Sequence, residues 1–110
     1  MTELPPPIPF RPLGVLKSLL ESLGHQVTHC YEDLVFLEHN AFLLRMDEKG
    51  EEVSLFFNRE SEPDKRAAIA EILASAGHHC RLTITRRGIY RLAPHATDNT
   101  LSLEFRENEM

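Results

Sequence analysis

Ala41-Phe42-Leu43-Leu44-Arg45-Met46-Asp47-Glu48-Lys49-Gly50-Glu51-Glu52-Val53-Ser54-Leu55-Phe56-Phe57-Asn58 is the stretch that decides the fold class. Two apolar runs flank a polar tetrapeptide ending in Gly50, a residue that accepts the positive φ of a tight turn. Val53, Leu55 and Phe57 recur at every second position, which is the period of a strand. The stretch therefore reads as a β-hairpin. Working backwards, Leu34 to Glu38 is a further apolar strand, closed by a turn at His39-Asn40. Val27 to Tyr31 is a short strand ahead of a Glu32-Asp33 turn. Three or four antiparallel strands are expected between residues 27 and 58.

Upstream the period changes. Leu13, Leu16, Leu20 and Leu23 recur at three- and four-residue steps, with Val15 and Leu19 widening the stripe, so a helix follows Pro12 and stops at Gly24. Downstream, Ser61-Glu62-Pro63-Asp64 has the chemistry of a helix start: a Ser N-cap, a proline in the first turn and acidic groups near the positive end. Ile69, Ile72, Leu73 and Ala76 supply that helix's stripe, and Gly77 reads as its stop. Residues 81–92 alternate again around a turn at Arg86-Arg87-Gly88. Ala93 to Asn99 reads as a polar loop, and Leu101, Leu103 and Phe105 as a last strand.

Leu16, Leu19, Leu20 and Gly24 align with Ile69, Ile72, Leu73 and Gly77 at a spacing of 53. Ser54, Leu55 and Phe57 align with Ser102, Leu103 and Phe105 at a spacing of 48. This suggests an internal repeat. The expected fold is α+β: two helix–β–β–β units, residues 13–60 and 61–110, forming one antiparallel sheet with both helices on one face. Residues 1–12 hold five of the seven prolines and read as an extended arm.

A chain of 110 residues with 42% hydrophobic and 26% charged residues suits one domain with its own core. Of its net charge of −5, the whole excess lies in residues 1–60, with five Lys and Arg against ten Asp and Glu; residues 61–110 hold seven of each. Overall acidity disfavours generic binding to nucleic acid or anionic membranes. The two cysteines, Cys30 and Cys80, are not in paired spacing, and no membrane-spanning run is present, so a cytoplasmic location is expected.

Small acidic chains that run helix, three strands, helix and further strands resemble the type III secretion chaperones. The resemblance lies in the order of elements and in the acidity. It implies a dimer that binds unfolded segments of client proteins. Members of that family usually finish with a helix, whereas this chain finishes on Leu101 to Phe105.

No residue set forms a catalytic signature, and the chain is read as a non-enzyme without cofactor or metal. His25, His29 and Cys30 cluster in sequence, as do His78, His79 and Cys80, but four residues along a strand span about 13 Å, too far for one ion. The histidines that follow the two glycines read better as helix-end cations. One segment has a functional look: Arg81, Arg86, Arg87, Tyr90 and Arg91 form a basic ribbon without acidic residues. It reads as a charged sheet edge or a partner surface, with an anionic ligand or RNA as the alternative. Leu34 to Leu37 and Ala41 to Leu44 are apolar on both faces, so something must cover the second face of the sheet. The function expected is a protein-binding or chaperone-like adaptor module acting as a homodimer.

Overall fold

A computed structural model describes residues 12–47, 51–94 and 101–107. The elements are α1 (Leu13–Ser22), β1 (Val27–Tyr31), β2 (Leu34–Leu37), β3 (Phe42–Met46), β4 (Glu52–Asn58), α2 (Pro63–His79), β5 (Thr83–Pro94) and β6 (Leu101–Glu107). The six strands form one sheet in the order β1-β2-β3-β4-β5-β6. This is the expected α+β class, with four strands in the first helix-then-strands unit and two in the second. The proline arm, apart from Pro12, and most of the polar loop at 93–99 lie outside the described residues.

The sheet is mixed, where an all-antiparallel one was expected. β1 to β4 form an antiparallel meander, but β4 and β5 are parallel. The physical reason is α2. Its 17 residues rise about 25 Å, close to the roughly 23 Å length of the seven-residue β4. The chain is thus carried back to the starting end of β4, and β5 must run in the same direction. β6 then pairs antiparallel with β5 from Gly88↔Glu107 to Pro94↔Leu101.

Alternation along the strands splits the apolar residues between two faces. Val35, Leu37, Phe42, Leu44, Met46, Val53, Leu55 and Phe57 join Leu16, Leu19 and Leu20 of α1 and Leu73 of α2 in the main core. α2 buries Arg66, Leu73 and Gly77, spaced seven and four apart, while Ile72 is 54% exposed. Its stripe is thus rotated from the expected one and begins on a charged residue.

The helix ends correct the glycine reading. After α1, Gly24 takes φ +89, its N–H donates to Glu21 O, and the His25 N–H donates to Leu20 O. That double bond is the Schellman pattern. α2 ends in the same pattern, with Arg81 N–H to His78 O and Leu82 N–H to Gly77 O, but the left-handed residue is Arg81 at φ +62. Gly77 lies inside the helix, where an added Cβ would come within 2.8 Å of Ile84 Cδ1; its role is close packing of α2 on β5. Ser61 is likewise no N-cap: Glu62 holds that position without a side-chain cap, and Pro63 opens the helix as expected.

The proposed repeat fails in the sheet as well. Leu55 and Phe57 belong to the main core. Their aligned partners Leu103 and Phe105 pack on the other face, in a cluster with Leu43, Phe56 and Tyr90. The shared strand period made the two segments look alike.

Candidate functional site

The basic ribbon does not form one surface. No turn occurs at Arg86-Arg87-Gly88; β5 runs through it, with a one-residue bulge where Leu55↔Arg86 is followed by Phe56↔Gly88. Arg81 serves the α2 cap. Arg86 lies on the helix-covered face, its guanidinium 5.1 Å from the centroid of the Phe57 ring, and its buried Nε has no hydrogen-bond partner among the described residues. Alternation puts Arg87 on the opposite face, where Nε donates to Ser54 Oγ at 3.2 Å. Tyr90 is buried: its hydroxyl donates to Asn40 O at 3.0 Å and accepts from Asn58 Nδ2. Burial pushes the Tyr90 pKa above its ordinary value, with the Asn58 hydrogen bond opposing. Arg91 pairs with Glu104 across the β5–β6 ladder. Five neighbours in sequence thus serve five different places.

A different arginine group comes together instead. The Arg59 N–H donates to Tyr90 O just beyond the end of β4, which places Arg59 beside β5. Register sets Arg106 opposite Ile89 and Glu104 opposite Arg91. Arg59, Arg91 and Arg106, with Glu104, Ile89 and Tyr90, line a cavity of about 190 Å³. Arg59 and Arg106 escaped sequence reasoning because three separate segments supply the group. The one available signal was the alternation of Leu103-Glu104-Phe105-Arg106, which puts Glu104 and Arg106 on one face.

His25 meets His39, fourteen residues on, rather than His29. His25 Nδ1 and His39 Nε2 are 3.0 Å apart, and Ala41 N–H donates to His39 Nδ1 at 3.0 Å. These contacts determine the tautomers. His39 Nδ1 accepts, so Nε2 carries the proton and donates to His25 Nδ1, which must be bare. Both rings are neutral in this arrangement, and each packs within about 5 Å of Phe42. Burial lowers both pKa values; for His39 the neighbouring His25 adds to this, while Glu38 opposes it. His29 stacks on Phe36 at 4.5 Å, on the far side of the sheet.

A folded-state pKa below the unfolded one means that the unfolded chain binds more protons on acidification. The pair's contribution to stability is therefore complete above the ordinary histidine pKa of about 6.5. It is lost as pH falls from there through the lowered values. Urea midpoints measured from pH 7.5 down to pH 5 should fall for the native protein. They should fall less steeply for His39→Gln, and equal slopes would refute this account of the pair.

The face away from the helices is the remaining feature. Leu43, Phe56 and Tyr90 are buried there, with Leu34, Phe36, Leu103 and Phe105 partly buried around them. No described helix residue belongs to this cluster. Phe56 and Phe105 meet edge to face at 4.6 Å, and Arg45 lies 5.0 Å over Phe56. One corner is polar: Ser54 Oγ donates to Asp47 Oδ2 at 2.8 Å, and Arg45 bonds Asp47 Oδ1 at 3.3 Å. No described helix is long and apolar enough to cross a membrane. Comparison with protein-family models, with curated proteins and with solved structures yields no match, so a functional reading rests on this geometry.

Proposed function

We propose that this protein is a non-enzymatic protein-binding module that acts as a homodimer, joined through the sheet face that the helices leave uncovered. The second apolar cluster carries this reading. Its seven residues, Leu34, Phe36, Leu43, Phe56, Tyr90, Leu103 and Phe105, span five neighbouring strands, β2 to β6. Leu43, Phe56 and Tyr90 are buried at its centre, and Leu34, Phe36, Leu103 and Phe105 around them stay partly exposed. A partly exposed apolar surface with a polar rim suits an interaction site. Two sheets pack face to face about 10 Å apart, and a twofold axis lets one patch cover its own copy. Arg45, Arg87 and Asp47 at the corner give a rim with both charge signs, which suits self-complementarity. The resemblance in element order to dimeric secretion chaperones points the same way.

The test is mass by light scattering across protein concentration. The native chain should run as a dimer, and Phe36→Glu with Phe105→Glu as a monomer that keeps its circular dichroism. Two buried charges per subunit should weaken the dimer by a factor of about 100 or more. A native protein that is monomeric at about 100 μM, roughly the range of weak interfaces, would overturn the dimer.

A second reading, an anionic-ligand site, is favoured by one observation. Arg59, Arg91 and Arg106 face one cavity with Glu104 as its acidic member. This replaces the Arg81 to Arg91 ribbon as the surface on which that reading rests.

A further inference from the structure

We propose that the cleft between the β2–β3 turn and the start of α2 binds a small monocarboxylate with a short apolar body, its carboxylate taken by Arg66. The cleft encloses about 440 Å³, within the range of small-molecule sites. Ala41, Phe57 and Ile69 form an apolar wall, and His39, Lys65 and Arg66 line the polar side.

Arg66 is the unusual member. It is 6% exposed, and no carboxylate among the described residues pairs with it. Nε donates to Ser61 Oγ at 3.0 Å, and Nη2 lies near the carbonyl oxygens of Asn58, Arg59 and Ser61 at 3.0–3.1 Å. Nη1 makes none of these bonds. Burying a guanidinium without a counter-charge is costly. A carboxylate on Nη1 would supply that counter-charge and a charge-assisted hydrogen bond. The site also lies at the positive end of α2.

The rim narrows the class of ligand. Glu60 and Glu62 line the same cleft, and Lys65 is already engaged by Glu62 at 2.7 Å. A dianion such as phosphate meets like charge there, whereas a singly charged acid matches the one uncompensated cation. The apolar wall then receives the acid's hydrocarbon part. This inference is independent of the dimer, since the cleft lies at one end of the helix-covered side of the sheet.

Hexanoate and benzoate serve as probes, with hexanamide, benzamide and inorganic phosphate as controls, on the full native chain. At about 10 mM, a ligand that binds the folded state raises the melting temperature by mass action. The acids should do so, and should shift the Ile69 methyl and Ser61 amide resonances saturably. The amides and phosphate should do neither. Arg66→Lys, if folded, should weaken acid binding by about tenfold or more, because a point charge on a different stem does not reproduce Nη1. If that variant does not fold, the acid–amide comparison on the native chain decides alone. Equal responses to acid and amide, equal responses to phosphate, or acid binding that leaves Ile69 and Ser61 unmoved would each overturn the proposal.

Discussion

Gly88→Ala should destabilise the protein by about 3 kcal/mol or more and loosen β6 from the sheet. The demand on Gly88 is space. A Cβ at this position would stand 2.0 Å from the carbonyl oxygen of Arg106 and 2.9 Å from Glu107 Cα. Both are backbone atoms of the neighbouring strand, so no rotamer change relieves the clash. The crowding follows from the bulge, which inserts Arg87 opposite β4 and brings Gly88 against the Arg106–Glu107 backbone. To admit a methyl group, β6 must move away, weakening its ladder with β5 and drawing Phe105 off Phe56. Urea denaturation measures the loss of stability. Loss of the cross-strand Phe56–Phe105 signal in nuclear Overhauser spectra measures the displacement. An unchanged midpoint would mean that β5 and β6 do not pair as described. Because Leu103 and Phe105 belong to the face away from the described helices, the same variant should also weaken the proposed dimer.

Arg66→Met should cost about 3 kcal/mol, although methionine is apolar, of similar length and enters a buried position. The side chain fills its space well enough; the loss lies in the carbonyl groups it leaves behind. Asn58, Arg59 and Ser61 turn their carbonyl oxygens toward one guanidinium, which holds the connection between β4 and α2 in place. Ser61 Oγ is part of the same group, donating to Asn58 O at 2.7 Å while accepting from Arg66 Nε. Removing the donor takes the guanidinium from the Arg59 and Ser61 carbonyl groups and from Ser61 Oγ, while Asn58 O keeps the Ser61 N–H and hydroxyl. Thermal or urea unfolding gives the magnitude. Faster amide exchange at Ser61 and at the first residues of α2 would locate it. A loss below about 1 kcal/mol, the size of a single ordinary hydrogen bond, would show that water replaces Arg66 without difficulty.

Local physics explains how much of the architecture could be read in advance. The helix before Gly24, the glycine stop at Gly24, the proline start at Pro63 and the alternation of Val53, Leu55 and Phe57 each arise from neighbours within a few residues. All four stand as read. Of the expected stripe of that helix, Leu16, Leu19 and Leu20 are buried while Val15 and Leu23 are exposed. Gly77 misled because glycine serves two purposes: it ends a helix by accepting positive φ, and it allows close approach by lacking a side chain. Only the position of Ile84 decides between them. Arg86-Arg87-Gly88 misled in the same manner, since a basic pair before glycine suits a turn and a bulge alike. The histidines show the opposite case. Spacing argued correctly that His25 and His29 do not converge, yet it gave no means of finding His39, which the β2–β3 turn brings alongside.

The sequence by itself determined the class of elements and their order, because helix and strand periods, caps and turn residues are short-range properties. It also determined that the sheet has two apolar faces, since consecutive apolar residues on a strand must point both ways. Tertiary structure decided which strands are neighbours, and with that everything that depends on pairing. The length of α2 against β4 made one pair parallel. Strand order gathered Arg59, Arg91 and Arg106 from three segments and dispersed the five residues that looked like a site. The packing of α2 rotated the buried stripe onto Arg66, which a helical wheel places at the border of the Ile69, Ile72 and Leu73 face, about 20° from Leu73. The hairpin of residues 41–58 was legible because its two strands are joined directly; the sites were not, because their residues meet only across the sheet.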